Sequence, residues 1–219
     1  MSYDVIIAGG GPAGSSTASY LRQRGRRVLL LEREQFPRFH LGESLLPFGN
    51  DLYRELGVFE DIDRRYIHKP GARFLHEESG TSFTYYFDTA IEGGRPYAYQ
   101  VPRADFDQLL LDNSRRLGAE VRQQTTVTKL RVLPSHVEVD ASGPDGRAYT
   151  VEAPLFVDAT GRDTFLARQL GNKVPDDLIT TNVAAFTHFE NVLRQSGDDE
   201  GNFTLVMFCL LYTSPSPRD

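Results

Sequence analysis

The stretch from Tyr3 to Glu32, YDVIIAGGGPAGSSTASYLRQRGRRVLLLE, limits the possible folds of this chain more than any other. Asp4–Ala8 predicts a short buried strand. Gly9, Gly11 and Gly14 then meet the GxGxxG spacing, and Pro12 and Ala13 open a helix. That helix is predicted to run from about Pro12 to Arg24 and to stop at Gly25, a natural C-terminal cap. Val28–Leu31 predicts a second apolar strand, which ends at Glu32.

Each part answers a requirement of dinucleotide binding. Gly9 permits a sharp turn, Gly11 lets a pyrophosphate approach the backbone, and Gly14 lets the helix pack close to the sheet. The helix N-terminus presents unpaired N–H groups and partial positive charge to phosphates. Glu32 stands about 20 residues beyond the glycines, where a carboxylate accepts hydrogen bonds from a ribose diol and disfavours the 2′-phosphate of NADP. Without its flanking strand, helix and acid the glycine run would be only a turn. The motif by itself does not separate NAD from FAD.

A chain of 219 residues can form one large domain or two small ones. Its formal charge of −6 argues against a nucleic-acid binder, which carries a basic stripe. Arg22, Arg24, Arg26 and Arg27 do gather, but at the end of the first helix, where cations complement the dipole. No apolar run approaches the roughly 20 residues that span a bilayer, and MSYDVIIAGG lacks the features of a signal peptide. One cysteine permits no internal disulfide, which fits a cytoplasmic location. The five histidines show no metal-ligand spacing, so no metal is expected.

After Glu32 the strand–helix alternation breaks. A helix is predicted near Leu45–Leu56, a strand-rich insertion from Gly71 to Val101, and a helix in PRADFDQLLLDNSRRLG with Phe106, Leu109, Leu110 and Leu117 on one face. Strands follow in AEVRQQTTVTKLRVL, HVEVDAS and AYTVEAPLFVDATG. The predicted fold is α/β: a Rossmann-like domain with an inserted antiparallel β-rich substrate region. Residues 1–65 and 102–174 form the two parts of the nucleotide-binding domain, 66–101 the insertion, and 175–208 the start of a substrate domain.

GxGPAG near the N-terminus, an arginine opening the helix after VPR, and a late strand ending in DATG resemble the FAD-dependent monooxygenase and reductase superfamily. The resemblance selects FAD. It implies that Arg103 lies against the flavin nucleotide and that Val157–Gly161 passes near it. Asp158 and Gly161 thereby join Gly9, Gly11, Pro12, Ala13, Gly14, Glu32 and Arg33 as cofactor-binding candidates. On the residues alone Arg103 is a solvated first-turn arginine. An arginine opposes the dipole there and wants an anionic partner. Asp158 reads equally well as an ordinary strand-end turn.

Phe36–Pro47, FPRFHLGESLLP, resembles the flavin-dependent halogenases, in the branch acting on phenols and pyrroles. That resemblance implies reduced FAD from a separate flavin reductase, and oxygen and halide combining to give hypohalous acid. It further implies an amine that holds this oxidant beside an aromatic substrate, free or bound to a carrier protein. The matching amine is Lys69, in IHKPGARF. On the residues alone, a lysine before proline is a surface-loop lysine. A buried one has a depressed pKa and serves as a nucleophile or a directed hydrogen-bond donor. Glu43 and Ser44 are assigned to shaping the flavin site, against readings as a backbone anchor and a helix N-cap. Among Tyr85, Tyr86, Phe87, Tyr97 and Tyr99, alternation sends about half into a sheet core and leaves the others for an aromatic substrate. The alternatives are a halogenase-like monooxygenase, a geranylgeranyl reductase-type enzyme (which usually carries a CGG segment in place of LGES), and a non-catalytic flavoprotein fragment.

Gly201–Phe208 reads as a strand, after which the halogenases show a WxWxIP segment. This chain has no tryptophan and continues instead as CLLYTSPSPRD. Those residues can be encoded by the read-through of a transposase-type sequencing adapter; the alternative is a disordered Ser/Pro tail. The expectation is that residues 209–219 are not native and that the chain is an N-terminal fragment, inactive alone and weak in binding FAD.

Overall fold

The computed structural model describes residues 2–90, 95–174, 185–191, 197 and 202–208. The tail at 209–219 and residues 175–184, where the substrate domain is expected to begin, lie outside the described residues. In chain order the elements are β1 (Val5–Ala8), α1 (Pro12–Gln23), β2 (Val28–Leu31), α2 (Gly49–Leu56), α3 (Phe59–Arg65), β3 (Ile67–Lys69), β4 (Gly71–His76), β5 (Thr81–Tyr86) and α4 (Phe87–Ala90). They continue as β6 (Ala98–Gln100), α5 (Arg103–Arg116), β7 (Glu120–Arg122), β8 (Thr126–Val132), β9 (Val137–Ser142), β10 (Ala148–Ala153), β11 (Leu155–Asp158), α6 (Phe165–Gln169) and β12 (Thr204–Phe208). No helix among the described residues is long and apolar enough to cross a membrane.

Two compact units divide the chain: Met1–Leu41 with Pro102–Ala184, and Gly42–Val101 with Ala185–Asp219. The first is built on a parallel sheet in the order β11-β1-β2-β7. Every residue of β1 and β2 is buried, because parallel strands are covered on both faces and read as unbroken apolar runs. Val5, Ile7, Val28 and Leu30 pack on one face against Ala18 of α1 and Leu111 of α5. Ile6, Leu29 and Leu31 pack on the other against Leu130, Val139, Ala141 and Ala153 of the antiparallel sheet β10-β9-β8. The α/β expectation holds. The apolar face of α5 differs in detail: Phe106, Leu110 and Leu111 are buried, while Leu109 and Leu117 are half-buried.

The turn after β1 explains the glycine spacing. Gly9 has a φ of +102°, and a Cβ there would stand 2.3 Å from the Ala159 carbonyl oxygen. Gly14 lies so close to that turn that its Cβ would come within 1.9 Å of the Gly9 carbonyl oxygen.

The second unit holds α2, α3, the antiparallel pair β3-β6, and a sheet in the order β12-β4-β5 in which β12 runs parallel to β4. The two units divide after Leu41 and after Val101. Hydrogen bonds give the reason. The Leu45 N–H donates to the Tyr99 carbonyl at 2.9 Å and the Val101 N–H to the Glu43 carbonyl at 2.8 Å. Asn50 Nδ2 reaches the Tyr97 carbonyl at 2.8 Å, and the Tyr99 hydroxyl reaches Asp63 Oδ1 at 2.8 Å. These bonds bind residues 43–63 to residues 97–101, which include β6. They also delay the helix expected from Leu45, which begins at Gly49.

Gly14→Ala places a methyl group against backbone that cannot yield. We expect the change to destabilise the protein by about 1–3 kcal/mol, read as a lower urea midpoint in equilibrium unfolding. An unchanged midpoint would contradict this packing.

Candidate cofactor cleft and buried lysine

A cleft of about 720 Å³ opens in the first unit, within the usual range for small-molecule sites. Gly9, Gly11, Pro12 and Ala13 line one part, Glu32 and Arg33 follow β2, and Thr160 and Gly161 lie after β11. Helix α1 points its N-terminus here. No side chain caps it and no acid sits in its first turn, so its leading N–H groups are available to an anion. A Cβ built at Gly11 meets only Arg38 Nη2, at 3.5 Å. The space that glycine leaves is open, as close approach by a phosphate requires.

Glu32 is 4% exposed. Its Oε2 accepts the Gly10 N–H at 2.5 Å and its Oε1 the Glu34 N–H at 2.7 Å. Those two bonds fix the carboxylate at the end of β2, and each oxygen keeps a second lone pair for a ribose hydroxyl. Arg33 pairs with Asp163, both half-open to solvent at the cleft.

Arg103 opens α5 and lines the cleft, and its anionic partner is now identified. Its Nε and Nη2 donate to the two oxygens of Asp107 at 2.7 and 2.9 Å, and Nη1 donates to the Leu41 carbonyl at 2.7 Å. Asp107 is fully buried. A second guanidinium, that of Arg38, shares this carboxylate: Nη1 lies 3.1 Å from Asp107 Oδ2 without a hydrogen-bond alignment, and Nε pairs with Glu34 at 2.8 Å. Sequence reading missed Arg38, although it stands inside FPRFHLGES. Only the fold brings it next to Gly11.

Asp158 has local work. Its Oδ1 accepts the Thr160 N–H and hydroxyl at 3.0 and 2.6 Å, and its Oδ2 accepts the Leu166 N–H at 2.7 Å. Burial raises its pKa, but the Thr160 hydroxyl and the Leu166 and Thr160 N–H groups outweigh it and hold the carboxyl below its ordinary value. Among the described residues the cleft is lined on this side by Ala159, Thr160 and Gly161, with Asp158 behind them tying β11 to α6. At the far end of the β9-β10 pair, His136, Glu138 and Glu152 bring ligand atoms within 4.8 Å of one another, a grouping that chain spacing does not reveal. Glu138 already pairs with Arg131 at 2.7 Å.

Lys69 belongs to the second unit and is only 2% exposed. It ends β3 opposite Ala98, with the side chain turned inward while Ile67 and His68 face out. Its Nζ donates to Ser44 Oγ at 2.7 Å and to the Leu45 carbonyl, and lies 5.2 Å from the centre of the Phe87 ring. Among the described residues no carboxylate forms an ion pair with it. Burial depresses its pKa. Ser44 therefore does not cap α2, where Phe48 holds the N-cap position. Glu43 anchors the backbone through its carbonyl, and its carboxylate lies 3.5 Å from His188 Nε2. Of the aromatic residues, Tyr99 is buried, its phenol pKa raised by burial and by the bond to Asp63. Tyr97 stacks on His68 at 4.3 Å, while Tyr85 and Tyr86 are exposed.

Residues 2–204 match the FAD binding domain family. The chain is 34% identical over 212 residues to a 1H-pyrrole-2-carbonyl-[peptidyl-carrier protein] chlorinase of Pseudomonas fluorescens, covering 89% of this chain and 47% of that protein. It spans about half the length of the curated relatives it matches. Among solved structures, the myxobacterial chondrochloren halogenase CndH is 38% identical with a TM-score of 0.69, over 74% of this chain and 38% of that one. A flavoprotein/dehydrogenase from Cytophaga hutchinsonii is 29% identical with a TM-score of 0.76, over 80% of this chain and 44% of that one.

FAD fits the residues present: an uncapped helix end and an open glycine for the pyrophosphate, and a fixed carboxylate for the ribose. Gly11→Val fills the open space without touching the core. We expect FAD affinity to fall at least about tenfold while the melting temperature of the FAD-free protein is unchanged; equal affinity in a fluorescence titration would refute this assignment. The glycine turn, the fixed acid and the extent of the match make this chain a member of the FAD binding domain family.

Proposed function

We propose that the protein is a flavin-dependent halogenase acting on an aromatic substrate of phenol or pyrrole type, free or held on a carrier protein. When bound and reduced, FAD supplies the electrons with which oxygen converts halide to hypohalous acid. The chain's own residues supply the rest. In the first unit Gly11, the N-terminus of α1 and Glu32 hold the nucleotide, with Arg33, Arg38 and Arg103 beside it. In the second unit Lys69 offers an amine to the oxidant. The net transformation is Ar–H + HOX → Ar–X + H₂O, with the ring proton leaving as the carbon–halogen bond forms.

One observation carries this reading: a lysine almost wholly withdrawn from water, with no carboxylate paired to it among the described residues, at the position that the halogenase resemblance assigns to oxidant handling. An ammonium buried for stability alone would be paired, since an unpaired buried charge is costly. Its hydroxyl and carbonyl acceptors hold the amine in place, and its burial keeps water from competing for the oxidant. The similarity to a pyrrolyl-carrier-protein chlorinase supports the substrate class. A separate flavin reductase would deliver reduced FAD, in the cytoplasm.

The likeness to a flavoprotein/dehydrogenase favours a second reading, a flavin oxidoreductase that uses no halide. Lys69→Ala and halide omission separate the two. We expect Lys69→Ala to lower halogenated product by about 10²-fold or more while oxygen still consumes reduced FAD. Halogenated product that persists in Lys69→Ala overturns the role given to Lys69, and substrate turnover that is equal without halide overturns the halogenase reading and establishes the second.

A further inference from the structure

We infer that Ser44 and Thr204 are positioning residues for the Lys69 amine, their hydroxyls forming a directed chain that leaves the amine, among the described residues, one vertex without a hydrogen-bond acceptor. This deepens the halogenase reading and rests on it.

The amine nitrogen has four tetrahedral directions, one of them taken by its own side chain. Ser44 Oγ, at 2.7 Å, and the Leu45 carbonyl occupy two more. The fourth is an N–H in the ammonium and a lone pair in the neutral amine. Both kinds of chemistry therefore leave Lys69 along the same line. The direction is fixed only while Ser44 presents a lone pair to the amine, which requires the serine hydrogen to point elsewhere. Thr204 Oγ1 is 2.7 Å from Ser44 Oγ and also accepts from Gln100 Nε2 at 3.3 Å. Either hydroxyl can donate in the Ser44–Thr204 bond; the chain we propose takes the direction from Lys69 to Ser44 and on to Thr204, with Gln100 donating to Thr204 from the other side.

The members of the chain are set by backbone pairing. Ser44 bridges Gln100 across an antiparallel contact, the Leu45 N–H is bound to the Tyr99 carbonyl, and Lys69 faces Ala98. Thr204 lies on β12 opposite Ala72 of β4. Ser44, read from sequence as part of the flavin cradle, is thus bonded to the lysine. Thr204, which no sequence motif marks, completes the chain.

The sequence contains three lysines, Lys69, Lys129 and Lys173, so the Lys69 titration can be followed by NMR in intact protein labelled with ¹³C at lysine Cε and assigned with Lys69→Ala. Ser44→Ala removes an acceptor that favours the ammonium, and we expect its acid dissociation constant to rise about tenfold. Thr204→Val, which does not touch Lys69, frees the serine hydrogen to turn toward the amine and moves the titration the same way. Ser44→Thr keeps the oxygen and restores the wild-type midpoint. In both disruptive variants, halogenated product per FAD oxidised should fall about tenfold with KM for the aromatic substrate unchanged. A midpoint that stays put in Ser44→Ala and Thr204→Val overturns the proposal, and Thr204→Val decides alone should Ser44→Ala fail to fold. A shifted midpoint in these variants, with substrate turnover that is equal without halide, upholds the positioning of the amine and refutes the halogenase reading on its own.

Discussion

The cofactor cleft depends on one close contact, the absent side chain of Gly14 against the carbonyl oxygen of Gly9. That approach lets α1 start directly from the end of β1. The helix N-terminus then opens toward the space beyond the strand ends, with no capping side chain and no acid in its own first turn. The hydrogen bond from the Gly10 N–H to Glu32 links the same turn to the end of β2, so the groups for phosphate and for ribose are set by one local geometry. The hydrophobic runs of β1 and β2 hold that geometry rigid, since both faces of the sheet are packed.

The buried lysine follows the opposite logic. Withdrawing an amine from water opposes folding, and the depressed pKa of Lys69 expresses that cost. In linkage terms, the unfolded chain binds this proton more readily than the folded one. Stability from this site therefore rises with pH, from the depressed folded value up to the ordinary 10.5. A hydroxyl, a carbonyl and an aromatic ring offset part of the cost without neutralising the charge. A residue kept at such expense, beside strands that fix its direction, is suited to chemistry more than to packing.

What the sequence disclosed was local and periodic. The strand–glycine–helix–strand unit and its acid could be read nearly residue for residue, because each part has a short-range cause. The α/β class followed from the break in alternation after Glu32. Pairings between distant residues could not be read this way. Ser44 and Thr204 are 160 residues apart, and nothing in either neighbourhood signals the other. Arg38 and Arg103 meet only because both turn to the buried Asp107. The attachment of residues 43–63 to residues 97–101 was hidden for the same reason, since its hydrogen bonds follow no sequence period. Lys69 was singled out by resemblance, since its residues alone describe a surface loop.

A structure of the protein with FAD bound bears most directly on this account. It should show the pyrophosphate over the first turn of α1 beside Gly11, with the ribose hydroxyls on Glu32. FAD lodged elsewhere, or a protein that takes up none at saturating concentration, would contradict it.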